Sequence, residues 1–169
     1  MYERRFETPP AGGSRARRDL VIQGYQDLAR SLDYLESRED VDAPKLAYLG
    51  MSLGATRGVL YTALEARFAA SILLAGGYYE STSAPEVDLL NFAPHVRLPT
   101  LMLNGRNDFR FPLEASQKPL FLALGTPEAD KRHALVSGGH GPDRLGVIKE
   151  VLAWLDRWLG PVETKPRPS

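Results

Sequence analysis

The chain has 169 residues and a mass of 18.7 kDa, enough for one domain with a sizeable core and too few for two. Its 21 Lys and Arg balance its 21 Asp and Glu, which leaves no electrostatic pull toward nucleic acid or an anionic membrane and little repulsion between copies. With no cysteine, disulfides, thiolate nucleophiles and Cys-held metal centres are excluded, while a hydrophobic fraction of 43% is that of a folded chain.

Residues 1–17 read as an irregular N-terminal arm, residues 18–160 as a single domain and residues 161–169 as a flexible tail. The arm continues from Met1-Tyr2-Glu3-Arg4-Arg5-Phe6 into Thr8-Pro9-Pro10-Ala11-Gly12-Gly13 with no apolar signal core. No apolar run approaches the ~18 residues of a membrane span, so the expected address is the cytoplasm. From Arg17 to Glu39, Leu20, Val21, Gly24, Leu28, Ser31, Leu32 and Leu35 fall on one stripe at helical period, and Asp40, Asp42 and Pro44 end the helix. Lys45 to Leu49 predicts a short buried strand, after which Gly50-Met51-Ser52-Leu53-Gly54 turns sharply into a helix over Ala55 to Ala66.

The alternation then repeats. Ala70 to Ala75 predicts a strand closed by Gly76-Gly77, and Leu98 to Asn104 another closed by Gly105. Pro112 to Leu124 predicts a helix that Pro119 kinks or breaks. His133 to Val136 predicts a fourth strand, ending at Ser137-Gly138-Gly139. In the last helix, Arg144 to Leu159, the expected buried stripe is Val147, Ile148, Val151, Leu152, Leu155 and Leu159. Short apolar strands alternating with helices imply an α/β fold with a mainly parallel sheet of about four strands and helices on both faces.

Functional groups collect at the carboxyl ends of the strands in such a sheet. Those ends carry Ser52, then Gly76 to Tyr79, then Asp108, then His140. A hydroxyl, a carboxylate and an imidazole in that order meet the needs of nucleophilic acyl transfer. The imidazole takes the serine proton, and the carboxylate fixes its tautomer and stabilises the cation that forms. In Gly-x-Ser-x-Gly over residues 50–54, the strand-to-helix turn strains the serine backbone, and side chains at both glycine positions are expected to clash. The helix that follows aims its first amides at the site, so the Leu53 N–H is the candidate oxyanion donor.

The segments Tyr48-Leu49-Gly50-Met51-Ser52-Leu53-Gly54-Ala55, Leu103-Asn104-Gly105-Arg106-Asn107-Asp108 and Gly138-Gly139-His140 resemble the C-terminal half of an α/β-hydrolase, over residues 18–159. The resemblance is nearest to dienelactone-hydrolase-like and prolyl-oligopeptidase-like esterases. It implies Ser52 as nucleophile, Asp108 as acid and His140 as base, spaced by 56 and 32 residues. Complete members carry about four more strands before the elbow, including the loop that gives the second oxyanion amide. The expected fold is thus a truncated α/β-hydrolase, and one donor in place of two costs about 3 kcal/mol of transition-state stabilisation.

Two further expectations follow from the absent strands. The elbow strand becomes an exposed apolar edge, so a homo-oligomer, most simply a dimer, is expected to cover it. The site is expected to be open and to accept small esters. Met51, Tyr78, Tyr79, Phe109 and Phe111 are the candidate pocket residues; the two tyrosines alternatively donate to the oxyanion or pack on the connector. His95 reads as structural and His133 as solvent-facing, and the wide spacing of the three histidines predicts neither metal nor cofactor. The sequence implies a carboxylesterase-type Ser–His–Asp hydrolase. Its rivals are a silent remnant acting as a binding module and a peptidase or thioesterase of the same fold.

Overall fold

In the computed structural model, residues 13–78 and 83–162 are described. Helix α1 (Arg15–Glu36) starts where the Ser14 hydroxyl accepts the Arg17 amide at 3.2 Å, so Arg15 to Arg17 are helical and not part of an irregular arm. It stops before Glu39 because the Ser37 hydroxyl turns back onto the Tyr34 carbonyl at 2.7 Å. Strand β1 (Ala47–Met51) begins later than the expected Lys45, because Pro44 shapes a single 3₁₀ turn over Ala43–Lys45. Helix α2 (Leu53–Leu64), strand β2 (Ala70–Leu74), the short α3 (Leu89–Phe92) and strand β3 (Thr100–Gly105) follow.

Between β3 and the last strand, a π-helical turn over Leu113–Gln117 leads into α4 (Lys118–Ala123). Pro119 lies in the first turn of α4, where its missing N–H breaks no intrahelical bond; it starts a short helix instead of kinking a long one. Strand β4 (Lys131–Val136) and helix α5 (Arg144–Leu159) complete the fold. The Asp143 carboxylate caps α5 by accepting the Gly146 amide at 2.7 Å.

The four strands form one parallel sheet in the order β1-β2-β3-β4, with Leu49 beside Ile72, Ile72 beside Leu101 and Met102 beside His133. One face turns Tyr48, Leu73 and Met102 toward α1, α2, α3 and α4 around buried Leu32, Val59, Leu60 and Leu120. The other turns Ile72, Leu74, Leu101, Leu103 and Ala134 toward α5. Burial on both faces is why β2 and β3 are apolar without alternation.

The buried stripe of α5 differs from expectation. Val147, Val151, Trp154, Leu155 and Trp158 pack on the sheet, whereas Ile148 and Leu152 are exposed. Arg132 pairs with Glu150 at 2.9 Å and Arg157 donates to the Ala129 carbonyl at 3.2 Å. Both ties bind the helix to β4 and the turn before it. At the opposite edge β1 has a single neighbour among the described residues, and Leu49 and Met51 are 53% and 48% exposed. Among the described residues no helix is long and apolar enough to cross a membrane.

Candidate active site

Ser52 stands between β1 and α2 with φ 53° and ψ −110°, a region a β-carbon tolerates only under strain. Its amide donates to the Leu74 carbonyl at 2.9 Å, which anchors the turn to β2. A β-carbon at Gly50 would lie 2.5 Å from both the carbonyl carbon and oxygen of Gly54, so the elbow requires glycine there. At Gly54 the nearest atom would be 4.0 Å away, the Tyr48 hydroxyl; the expected clash at the second glycine is therefore absent. The Thr56 amide makes the first bond of α2, to the Ser52 carbonyl at 3.0 Å. The Leu53 N–H precedes it in the first turn, where amides have no partner within the helix.

Tyr48, the first residue of the elbow segment, supports this turn. Its hydroxyl donates to the Gly54 carbonyl at 2.7 Å, and burial pushes its pKa up to about 12. The phenol therefore stays protonated and able to donate across any working pH.

Asp108 and His140 are brought up by the other end of the sheet. A β-carbon on Gly105 would overlap the Gly139 carbonyl, so the end of β3 and the Gly138-Gly139 loop approach as only glycine permits. The Arg106 amide donates to Val136 at 2.9 Å and the Asn107 amide to Gly138 at 3.0 Å. The Asp108 side chain is wholly buried, and its Oδ1 accepts the amides of Arg110 at 2.9 Å and Phe111 at 3.1 Å. Its other oxygen, Oδ2, lies 3.1 Å from His140 Nδ1, and His140 Nε2 lies 2.9 Å from Ser52 Oγ. With Nδ1 protonated against the carboxylate, Nε2 has a lone pair for the serine hydroxyl.

The other sequence-derived candidates are less central. Phe111 is fully buried, its ring 5.7 Å from that of His140, so it backs the imidazole and does not open onto solvent. Phe109 is 84% exposed. Tyr78 is half-buried against the core, and its carbonyl accepts the Ser116 hydroxyl at 2.7 Å. Met51 flanks the serine from the exposed edge, and Tyr79 lies outside the described residues. His133 is not solvent-facing: it stacks on Phe121 with ring centroids 5.5 Å apart and meets Asn104 and Gln117. Among the described residues no group of three His, Cys, Asp or Glu is placed to hold a metal ion.

No family profile matches the chain, and no curated protein matches it in sequence. Solved structures do. The chain is similar to a cold-adapted esterase from an Arctic intertidal metagenomic library, at 26% identity and a TM-score of 0.68, covering 82% of this chain and 59% of that one. It shares its fold with an acetyl xylan esterase from Paenibacillus sp. R4 (21% identity, TM-score 0.64, covering 81% and 52%). The same holds for an alpha/beta hydrolase from Penicillium sp. sh18 (15%, 0.67, covering 82% and 72%). Over the part it covers, the fold is that of these esterases and of the alpha/beta hydrolase, and the chain spans less than two thirds of the Arctic esterase.

Proposed function

We propose that the chain carries the nucleophile, base and acid of a serine hydrolase that cleaves small carboxylic esters through an acyl-enzyme. The observation that carries this reading is the continuous chain of contacts from Ser52 Oγ through His140 to buried Asp108, built on a strained elbow. As Ser52 Oγ attacks the ester carbonyl, His140 Nε2 takes its proton. The imidazolium is then stabilised by Asp108, whose carboxyl group is held in place by two backbone amides. The oxyanion meets the Leu53 N–H. Collapse expels the alkoxide, which takes the proton back from Nε2 and leaves an acyl-Ser52. Water, deprotonated by His140, repeats the sequence and frees the carboxylate.

Likeness to esterases supports esters over peptides, and the openness around Met51 and Leu53, each about half exposed, supports short acyl chains. The test is a p-nitrophenyl ester series from acetate to decanoate. Turnover is expected to be greatest for the shortest chains and lost in Ser52→Ala; turnover persisting in that variant refutes the role of Ser52. We further propose that a second copy covers the free edge of β1, where Leu49 and Met51 are exposed on a chain of zero formal net charge. Light scattering at micromolar concentration should give a dimer mass, and a monomer mass would refute it.

A further inference from the structure

Behind the acid loop lies a polar cluster in the interior. Asn104 on β3 and Gln117 at the end of the π-helical turn have no solvent exposure, and His133 on β4 faces both. The Asn104 amide nitrogen donates to the Gly76 carbonyl at 2.8 Å, and the Gln117 amide nitrogen donates to the Phe111 carbonyl at 2.7 Å. Both nitrogens being committed to carbonyls, both amide oxygens face His133 Nε2, each at 3.2 Å. Two acceptors at that distance require a proton on Nε2, so the imidazole is the shared donor.

The two backbone carbonyls held in this way sit at the two halves of the site. Phe111 also gives its amide to Asp108 Oδ1 and its ring to the back of His140. Gly76 packs beneath the elbow helix, where a β-carbon would come within 2.6 Å of that of Ala55.

We propose that His133, Asn104 and Gln117 form a buried positioning relay that locks the acid loop and the floor of the nucleophile elbow into one register. This rests on the reading of Ser52, His140 and Asp108 as a working triad. None of the three relay side chains touches the reacting atoms; each acts through Phe111 or Gly76 on groups that do. The charged groups around His133 are Lys118 of α4, held by Glu114 at 2.6 Å, and Lys131 of β4. The Lys131 ammonium lies 5.0 Å from the Phe121 ring centroid and 3.3 Å from Glu128. Burial, with a smaller contribution from Lys118, lowers the His133 pKa below its ordinary 6.5, which keeps the imidazole neutral at neutral pH.

The experiment uses the whole chain and two readouts. One is the downfield NMR resonance of the proton between His140 Nδ1 and Asp108, which needs no substrate. The other is the rate at which a fluorophosphonate labels Ser52. In His133→Phe, which keeps the stack on Phe121 but removes the donor, the resonance should shift or broaden and labelling should slow by on the order of tenfold to a hundredfold. His133→Gln, which restores a donor, should recover most of both. Gln117→Met is the second variant, since it keeps an uncharged side chain of similar size but removes the donor to Phe111. An unchanged resonance and labelling rate in either folded variant would overturn the relay. An unlabelled Ser52 in the parent chain would instead overturn the triad reading, and the resonance would still decide whether the relay sets the geometry of His140 and Asp108.

Discussion

The two ends of the sheet treat their functional groups differently. At β3 the strand is buried throughout, the Asp108 side chain is inaccessible, and the loops that carry Asp108 and His140 touch through Gly105 and Gly139. At β1 every second residue is exposed, and Leu53, whose amide would meet the oxyanion, is half exposed. The acid–base half of the site is therefore organised by contacts within the chain. On the proposed reading, the helix N-terminus offered to the oxyanion among the described residues stands in a place water reaches, and a site of this kind activates its nucleophile better than it stabilises the charge that follows.

Removing the nucleophile is the strongest way to break this comparison. Ser52→Ala should reduce ester turnover by on the order of 10⁶-fold, measured as kcat on p-nitrophenyl acetate, if the oxyanion half contributes little alone. Asp108→Asn should cost on the order of 10⁴-fold in kcat, because the amide leaves His140 in the wrong tautomer. Gly105→Ala pushes a methyl into the Gly139 carbonyl and should cost about 1–3 kcal/mol in urea unfolding, with a loss of turnover. Tyr48→Phe removes one hydrogen bond from the elbow on the open side and should cost about 1 kcal/mol.

The smallest expected effect is one of pH. A neutral His133 whose folded pKa lies below 6.5 contributes nothing to the pH dependence of stability above that value. As the pH falls below it the unfolded chain takes up a proton that the folded chain resists, and stability is lost until the folded value is passed. Urea unfolding of the parent chain at pH 7.5 and pH 5 should show this loss, and His133→Phe should show less of it. An equal loss in both would place the acid sensitivity elsewhere.

Most of the fold was legible from local pattern because β1, β2 and β3 are short, mostly apolar runs that carry or meet a glycine at their ends, and α1 and α5 keep a 3.6-residue stripe. Errors fell where a tertiary contact overrode that pattern. Pro44 drew Lys45 into a turn, and α5, tied to Arg132 and Ala129, buries Trp154 and leaves Leu152 exposed. For the site, the spacing of Ser52, Asp108 and His140 along the strand ends was readable because the topology follows sequence order. The supporting side chains were not. Asn104, Gln117 and His133 meet only once β3, β4 and the turn before α4 are folded together, and no interval in the chain announces it. Tyr48 did carry a signal, an aromatic two residues before the first elbow glycine, with Gly54 leaving room for its hydroxyl.

The central claim is that Ser52 is an activated nucleophile held by His140 and Asp108. A fluorophosphonate probe, with the adduct located by mass spectrometry, tests it most directly. The account predicts one adduct per chain on Ser52, absent in Ser52→Ala and strongly slowed in His140→Ala. Folded protein that takes up no probe, or takes it up equally in those variants, would contradict it.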